Sequence, residues 1–155
     1  MTKADRTLRR FSGYLMKRAF NAVQADVNAT LHPFGLRMVT FSALVVIVDN
    51  AGLSQSQLAE SLSIERPNLV LVVDELESRG LILRQRDKTD RRAYRLVPTA
   101  PGRKLCASAL AAIDDHEARL TAGIDAGDRA ALVAALGRIE SNGRNVHEGR
   151  HVARS

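Results

Sequence analysis

The sequence predicts a mainly α-helical protein carrying one small β-hairpin, and three observations point there. Apolar residues recur at intervals of three and four along most of the 155 residues. Only between Leu81 and Val97 does the pattern change to two short runs of strand formers around a polar turn. Breakers and cap residues (Pro33, Gly35, Asn50, Gly52, Gly80, Gly123) fall between these stretches.

Taken in order, residues 4–31 place Leu8, Phe11, Leu15, Ala19, Val23 and Val27 on one helical face, and Pro33 and Gly35 stop the helix. Met38 to Val48 has no clear polar face. Its β-branched content would also permit a strand, but its length favours a helix buried on most sides. Asn50 and Gly52 end it with C-cap chemistry. Ser54 then reads as an N-cap completed by Gln57 three residues on, opening a short helix that turns Leu58, Ala59 and Leu62 inward. Ser63-Ile64-Glu65 forms a tight turn. In the next helix Pro67 is tolerated in the first turn, where its missing amide would have no intrahelical partner. Leu69, Val72, Val73 and Leu76 give that helix an apolar stripe, and Gly80 caps it with Leu81 making the capping contact.

Leu81–Arg86 and Ala93–Val97 form the hairpin, joined by a charged tip from Asp87 to Arg92. Thr99 and Pro101 open a helix over about 100–122, with Leu105, Ala109, Ile113, His116 and Leu120 along one face. After a break at Gly123–Gly127, a last helix over about 128–147 carries Leu132, Leu136, Ile139 and Val146, and the residues beyond it read as frayed. No internal repeat, low-complexity tract or linker is evident.

Composition narrows the class. With 45% apolar and 26% charged residues, this is an ordinary globular chain. Its single cysteine, Cys106, excludes an internal disulfide framework and fits a reducing compartment. No apolar run approaches the roughly 18 residues of a membrane helix, and the basic N-terminus lacks a secretory signal's apolar core, so a cytoplasmic protein is expected.

Charge points to a polyanionic partner. The net charge is +6, and the excess sits in two segments, residues 1–20 and 79–95, each +5. Residues 53–78 are net −4. Nineteen of the 23 basic residues are arginine, whose planar fork suits phosphate and guanine.

A short helix, a three-residue turn, a second helix and a basic hairpin make a winged helix-turn-helix. In that arrangement the amino end of the second helix enters the major groove. Arg66, Asn68 and Leu71 are the candidates for base edges: arginine pairs with guanine, asparagine with adenine, and an apolar side chain touches the thymine methyl. Gln55 and Gln57 are placed for phosphate. On the hairpin, Arg86, Lys88, Arg91 and Arg92 suit the backbone or a narrow minor groove; alternatively they only keep an edge hairpin soluble. Asp90 beside Arg91 suggests an internal pair that shapes the tip. Asp74, Glu75 and Glu77 lie away from the groove-entering end, and Glu65 stands where it would cap the helix and oppose its dipole.

The run from Leu53 to Leu105 resembles the core of the MarR (multiple antibiotic resistance regulator) family. The resemblance rests on Leu58-Ala59, on Asp74-Glu75-Leu76-Glu77-Ser78-Arg79-Gly80-Leu81-Ile82, on Asp90-Arg91-Arg92 and on the spacing Leu96, Thr99, Gly102. The chain departs from the family pattern at Arg66-Pro67-Asn68, where small hydroxyl residues are common. The resemblance implies a homodimer built from a dimerisation helix in 1–35 and dimerisation helices in 100–155, around a DNA-binding core in 36–99. Apolar faces on the terminal helices agree, since a small central domain cannot cover them. A two-fold protein should read pseudo-palindromic double-stranded DNA.

The resemblance also implies a repressor with a small-molecule effector held between the dimer helices and the winged core. Phe11, Tyr14, Arg18, His32, Phe34, Met38 and Phe41 fall in those elements, and an aromatic wall with Arg18 or His32 would suit an aromatic or anionic metabolite. Ordinary core packing explains the same residues. Two further readings stay open: a winged-helix protein–protein module, and a DNA-binding regulator with no ligand. Cys106, between Leu105 and Ala107, reads as an inert packed thiol. The four histidines are dispersed, so no metal or other cofactor is expected. No phosphate loop, nucleophile elbow or carboxylate pair suggests an enzyme.

Overall fold

The structure is a computed structural model that describes residues 3–87 and 93–152, with side chains described over 4–87 and 93–143. Its elements run α1 (Ser12–Leu31), α2 (Met38–Asp49), α3 (Gln55–Leu62), α4 (Arg66–Ser78), β1 (Ile82–Arg86), β2 (Tyr94–Pro98), α5 (Ala100–Leu120) and α6 (Ala126–Val152). Two compact units result, residues 1–117 and 118–155.

The first unit holds the core. Leu31, Leu36, Ala43, Leu44, Ile47, Leu58, Leu69, Val73, Leu76, Ile82, Leu96, Cys106 and Ala109 are all buried. Met38–Asp49 is a helix, and it buries Thr40, Ala43, Leu44 and Ile47 against α3, α4 and β2. Thr40 is completely buried and satisfies its hydroxyl locally, accepting from the Arg37 amide at 2.9 Å and donating to the Arg37 carbonyl at 3.1 Å.

Local chemistry sets the helix-turn-helix. Ser54 Oγ accepts from the Gln57 amide at 3.2 Å and Gln57 Oε1 accepts from the Ser54 amide at 2.8 Å, a reciprocal capping box. Ser63 takes the left-handed conformation (φ 52°), letting the Ile64 amide reach back to the Ala59 carbonyl at 3.0 Å. α4 ends in the same manner at Gly80 (φ 67°): the Gly80 amide bonds the Glu77 carbonyl at 2.8 Å, and the Leu81 amide bonds Leu76 at 3.0 Å.

β1 and β2 pair antiparallel in the register Ile82↔Pro98 to Arg86↔Tyr94. The other edge of β2 is closed by a single bridge: the Gly52 amide bonds the Leu96 carbonyl at 2.8 Å and the Leu96 amide bonds Leu53 at 2.9 Å. α5 then starts from Thr99, whose Oγ1 accepts from the Gly102 amide at 3.0 Å while facing the Gly80 and Leu81 carbonyls at 2.7 and 3.0 Å.

Three expectations are corrected. The first helix does not run unbroken from residue 4: short 3₁₀ turns cover Lys3–Asp5 and Leu8–Arg10, Phe11 is extended, and α1 begins at Ser12. Asp5 accounts for the early turns, because it draws Arg9 and Tyr14 onto its carboxylate (2.9 and 2.8 Å). Glu65 occupies the N-cap position of α4 without a side-chain cap bond, consistent with the preference for shorter side chains there. The last helix continues through Val152, running across Gly137, Gly143 and Gly149, each of which costs a helix interior only about 1 kcal/mol relative to alanine. In the second unit α6 leaves Leu132, Val133, Leu136 and Ile139 exposed in the isolated chain.

Candidate nucleic-acid interface and adjoining cleft

α3 and the turn at Ser63 deliver the amino end of α4 to the surface. Arg66 and Asn68 are exposed, and Leu71 is 69% exposed, which is high for a large apolar side chain. The same helix buries Leu69, Val72, Val73 and Leu76, so its outward face is fixed by the core. Arg86 stands exposed at the end of β1. Lys88, Arg91 and Arg92, and the proposed Asp90–Arg91 pair, lie outside the described residues.

Gln57 is exposed; its carboxamide oxygen serves the capping box, which leaves its NH₂ as a donor. Gln55 is half-buried beside Arg84; turned with its oxygen toward that guanidinium, it accepts from Nε and Nη2 at 3.1 Å. Gln55 therefore braces the hairpin as well as starting α3.

The acids of α4 are the electrostatic problem for a DNA-facing helix, and arginines from neighbouring segments answer it. Arg84 on β1 pairs with both Asp74 and Glu77. Burial opposes its charge, but hydrogen bonds to Asp74 and Glu77 outweigh that, and the guanidinium is held above its ordinary pKa. Arg37, just before α2, pairs with Glu75. Asp87 at the base of the tip is paired with Arg95, whose Nη1 also reaches the Gly52 carbonyl at 3.3 Å. Each acid on the second half of α4 thus has a cation from outside the helix against it.

Next to this face lies a cleft of about 560 Å³ lined by α1 (Gln24, Asn28), by residues 32–42 (His32, Leu36, Arg37, Met38, Val39, Ser42) and by the α3–α4 turn (Leu62, Ile64). Two of the seven expected effector residues, His32 and Met38, line it. The other five do not, and the aromatic wall is not assembled there. Phe34 and Phe41 pack against the core. Tyr14 and Arg18 turn to Asp5: the Tyr14 hydroxyl donates at 2.8 Å, Arg18 Nη1 lies 3.6 Å away, and the Arg18 guanidinium sits 5.9 Å from the Tyr14 ring centre. Phe11 is 60% exposed. The bonds from Arg9 and Tyr14 hold the Asp5 carboxyl below its ordinary pKa.

Sequence reading missed Gln24 and Asn28, although with His32 they follow the i, i+4, i+8 spacing of one helical face. It also missed Arg37, the lone base among residues 21–52, whose partner is 38 residues away. Cys106 is 1% exposed, and burial raises its thiol pKa. Among the described residues no cluster of three His, Cys, Asp or Glu side chains is arranged for a metal. No single helix among them is long and apolar enough to cross a membrane.

A helix-turn-helix with its second helix presented beside a basic two-stranded hairpin defines a winged-helix protein of the DNA-binding type. Comparison with known proteins specifies it further. Residues 36–94 match the model of the MarR family. The chain is 35% identical to the transcriptional repressor CouR bound to a 23-mer DNA duplex, with a TM-score of 0.84 over 90% of this chain and 98% of that one. It is 34% identical to CouR from Rhodococcus jostii RHA1 bound to p-coumaroyl-CoA, with a TM-score of 0.76 over 82% and 90% of the two chains. A putative transcriptional regulatory protein for the hcr operon of Thauera aromatica is 37% identical over 99 residues, 64% of this chain and 60% of the relative's length. The chain belongs to the MarR family of transcriptional regulators.

Proposed function

We propose that this protein is a homodimeric, cytoplasmic transcriptional repressor that binds pseudo-palindromic duplex DNA and is released by a small aromatic or anionic effector. Arg66, Asn68 and Leu71 read base edges, Gln57 and Arg86 meet the backbone, and Lys88, Arg91 and Arg92 extend that contact along the wing. The observation that carries this reading is the charge pairing on α4. Arg37 and Arg84 offset Glu75, Asp74 and Glu77, so that the carboxylates on the second half of the helix oppose a polyanion at Arg66 less.

Dimerisation is supported by the apolar side chains that α6 leaves open, Leu132, Val133, Leu136 and Ile139. The effector reading is supported by the cleft, which combines an apolar wall with Gln24, Asn28, His32 and Arg37. Its apolar wall suits an acyl or aryl group, and the p-coumaroyl-CoA bound to the CouR relative makes that thioester the first compound to try. We assign no catalytic role.

A gel shift with genomic fragments tests the proposal. Selective retardation of one fragment, relieved by p-coumaroyl-CoA, is expected. Uniform weak binding, or capture of an acidic protein instead of DNA, would favour a protein–protein module.

A further inference from the structure

A charged link joins the cleft to the recognition helix. Arg37 lines the cleft, and its Nη2 bonds Glu75 Oε2 on α4. One turn further on, at the C-cap of α4, Arg79 donates to the carbonyls of Phe34 and Gly35 at 3.0 and 2.6 Å. Two arginine contacts therefore tie α4 to the segment 34–37 beside the cleft. The α3–α4 turn, through Leu62 and Ile64, contributes the facing wall.

The Arg37–Glu75 pair is open to solutes, with side chains 66% and 32% exposed. Among the described residues Arg37 is the one permanently charged cation that lines the cleft. The remaining α4 acids are held by Arg84, which is not part of the cleft. An anion entering here thus meets a guanidinium already engaged with the DNA-reading helix, and meets it where water competes with the existing pair.

We propose that Arg37 is the oxyanion-sensing residue of the cleft. An effector seats its apolar body against Leu36, Met38, Val39, Leu62 and Ile64 and takes the Arg37 fork onto a carboxylate or phosphate, detaching it from Glu75. The planar guanidinium donates to either oxyanion in the same two-point geometry. Glu75 then regains an uncompensated negative charge on the helix that faces the phosphates, and α4 loses one of its two ties. The exposed charge lowers affinity for DNA. The inference rests on the proposed function and specifies its effector chemistry: an apolar acyl or aryl group bearing an oxyanion.

The test uses the full-length protein, a duplex enriched by the wild type from a random-sequence library, and two probes, p-coumarate and p-coumaroyl-CoA. DNA affinity is read by fluorescence anisotropy, probe binding by calorimetry and folding by thermal melting. Arg37→Gln should weaken DNA binding roughly two- to fivefold without any probe, the range of an exposed ion pair. The double variant Arg37→Gln/Glu75→Gln should restore it. Glu75→Gln should bind DNA at least as tightly as the wild type, having one carboxylate fewer on α4, yet lose most of the probe-induced release. Release by p-coumarate identifies a carboxylate as the captured group; release by the thioester alone identifies a phosphate, and either supports the proposal. Equal release of Glu75→Gln and wild type would overturn the link while leaving the proposed function intact. Failure of both probes to release the wild type would overturn the effector reading and this inference together.

Discussion

Gly102 on α5 lies against the Leu81 carbonyl so closely that a Cβ at residue 102 would sit 1.9 Å from that oxygen. Leu81 is the residue after the α4 cap, and Thr99 bonds the same carbonyl, with its amide and its hydroxyl each 3.0 Å away. This contact fixes where α5 leaves the winged core. Gly102→Ala should therefore destabilise the fold by about 1–3 kcal/mol, the range for overpacking a close contact, as read by urea unfolding. Wild-type stability in that variant would show that the helix shifts freely at this point.

Arg84 concentrates two functions in one side chain, pairing Asp74 and Glu77 while lying beside Gln55. Arg84→Ala should lower DNA affinity by roughly two- to tenfold, because two carboxylates lose their cation on the DNA-facing helix. Adding Asp74→Asn and Glu77→Gln should recover most of the loss. If the triple variant binds no better than Arg84→Ala, the arginine acts through packing and not through charge.

Arg86, exposed at the end of β1, is the last wing arginine on that strand among the described residues. Its replacement by alanine should weaken specific and non-specific binding alike, and should reduce the slope of log K against log salt by about one unit. An unchanged slope would remove Arg86 from the interface.

Asp5 gives a pH dependence with a defined sign. Its hydrogen bond from Arg9, then that from Tyr14, lowers the carboxyl pKa below the ordinary 3.8. A depressed folded-state pKa means that the N-terminal contact is fully present above the unfolded value and is lost as pH falls through the folded one. Carboxyl NMR titration should show Asp5 ionised below 3.8, with Tyr14→Phe moving the midpoint upward. No movement in that variant would show that Tyr14 does not stabilise the carboxylate.

What the sequence made legible follows physical range. The Ser54–Gln57 box, Pro67 in the first turn of α4 and the Gly80–Leu81 cap involve neighbours within a few residues, and each stands as expected. The switch of period at Leu81 located the hairpin to within a residue at each strand. Contacts that join distant segments left no such trace. Arg37 meets Glu75 across 38 residues, and the buried His116 bonds Asp26 across 90. The bridge from Leu53 to Leu96 is a single pair, too short to leave a period. Candidate effector residues were chosen by element and aromatic character rather than by face. His32 and Met38 therefore line the cleft, whereas Phe34 and Phe41 were claimed by the core and Tyr14 and Arg18 by Asp5.

The central claim is that the amino end of α4 reads bases, and selection of duplexes from a random-sequence library tests it most directly. The wild type should enrich a pseudo-palindrome with half-site centres about 34–36 Å apart, one helical turn. Asn68→Ala should enrich the same motif with preference relaxed at one base pair per half-site, a loss of roughly 1–3 kcal/mol of discrimination. An identical motif from both proteins, or no two-fold motif from either, would contradict the account.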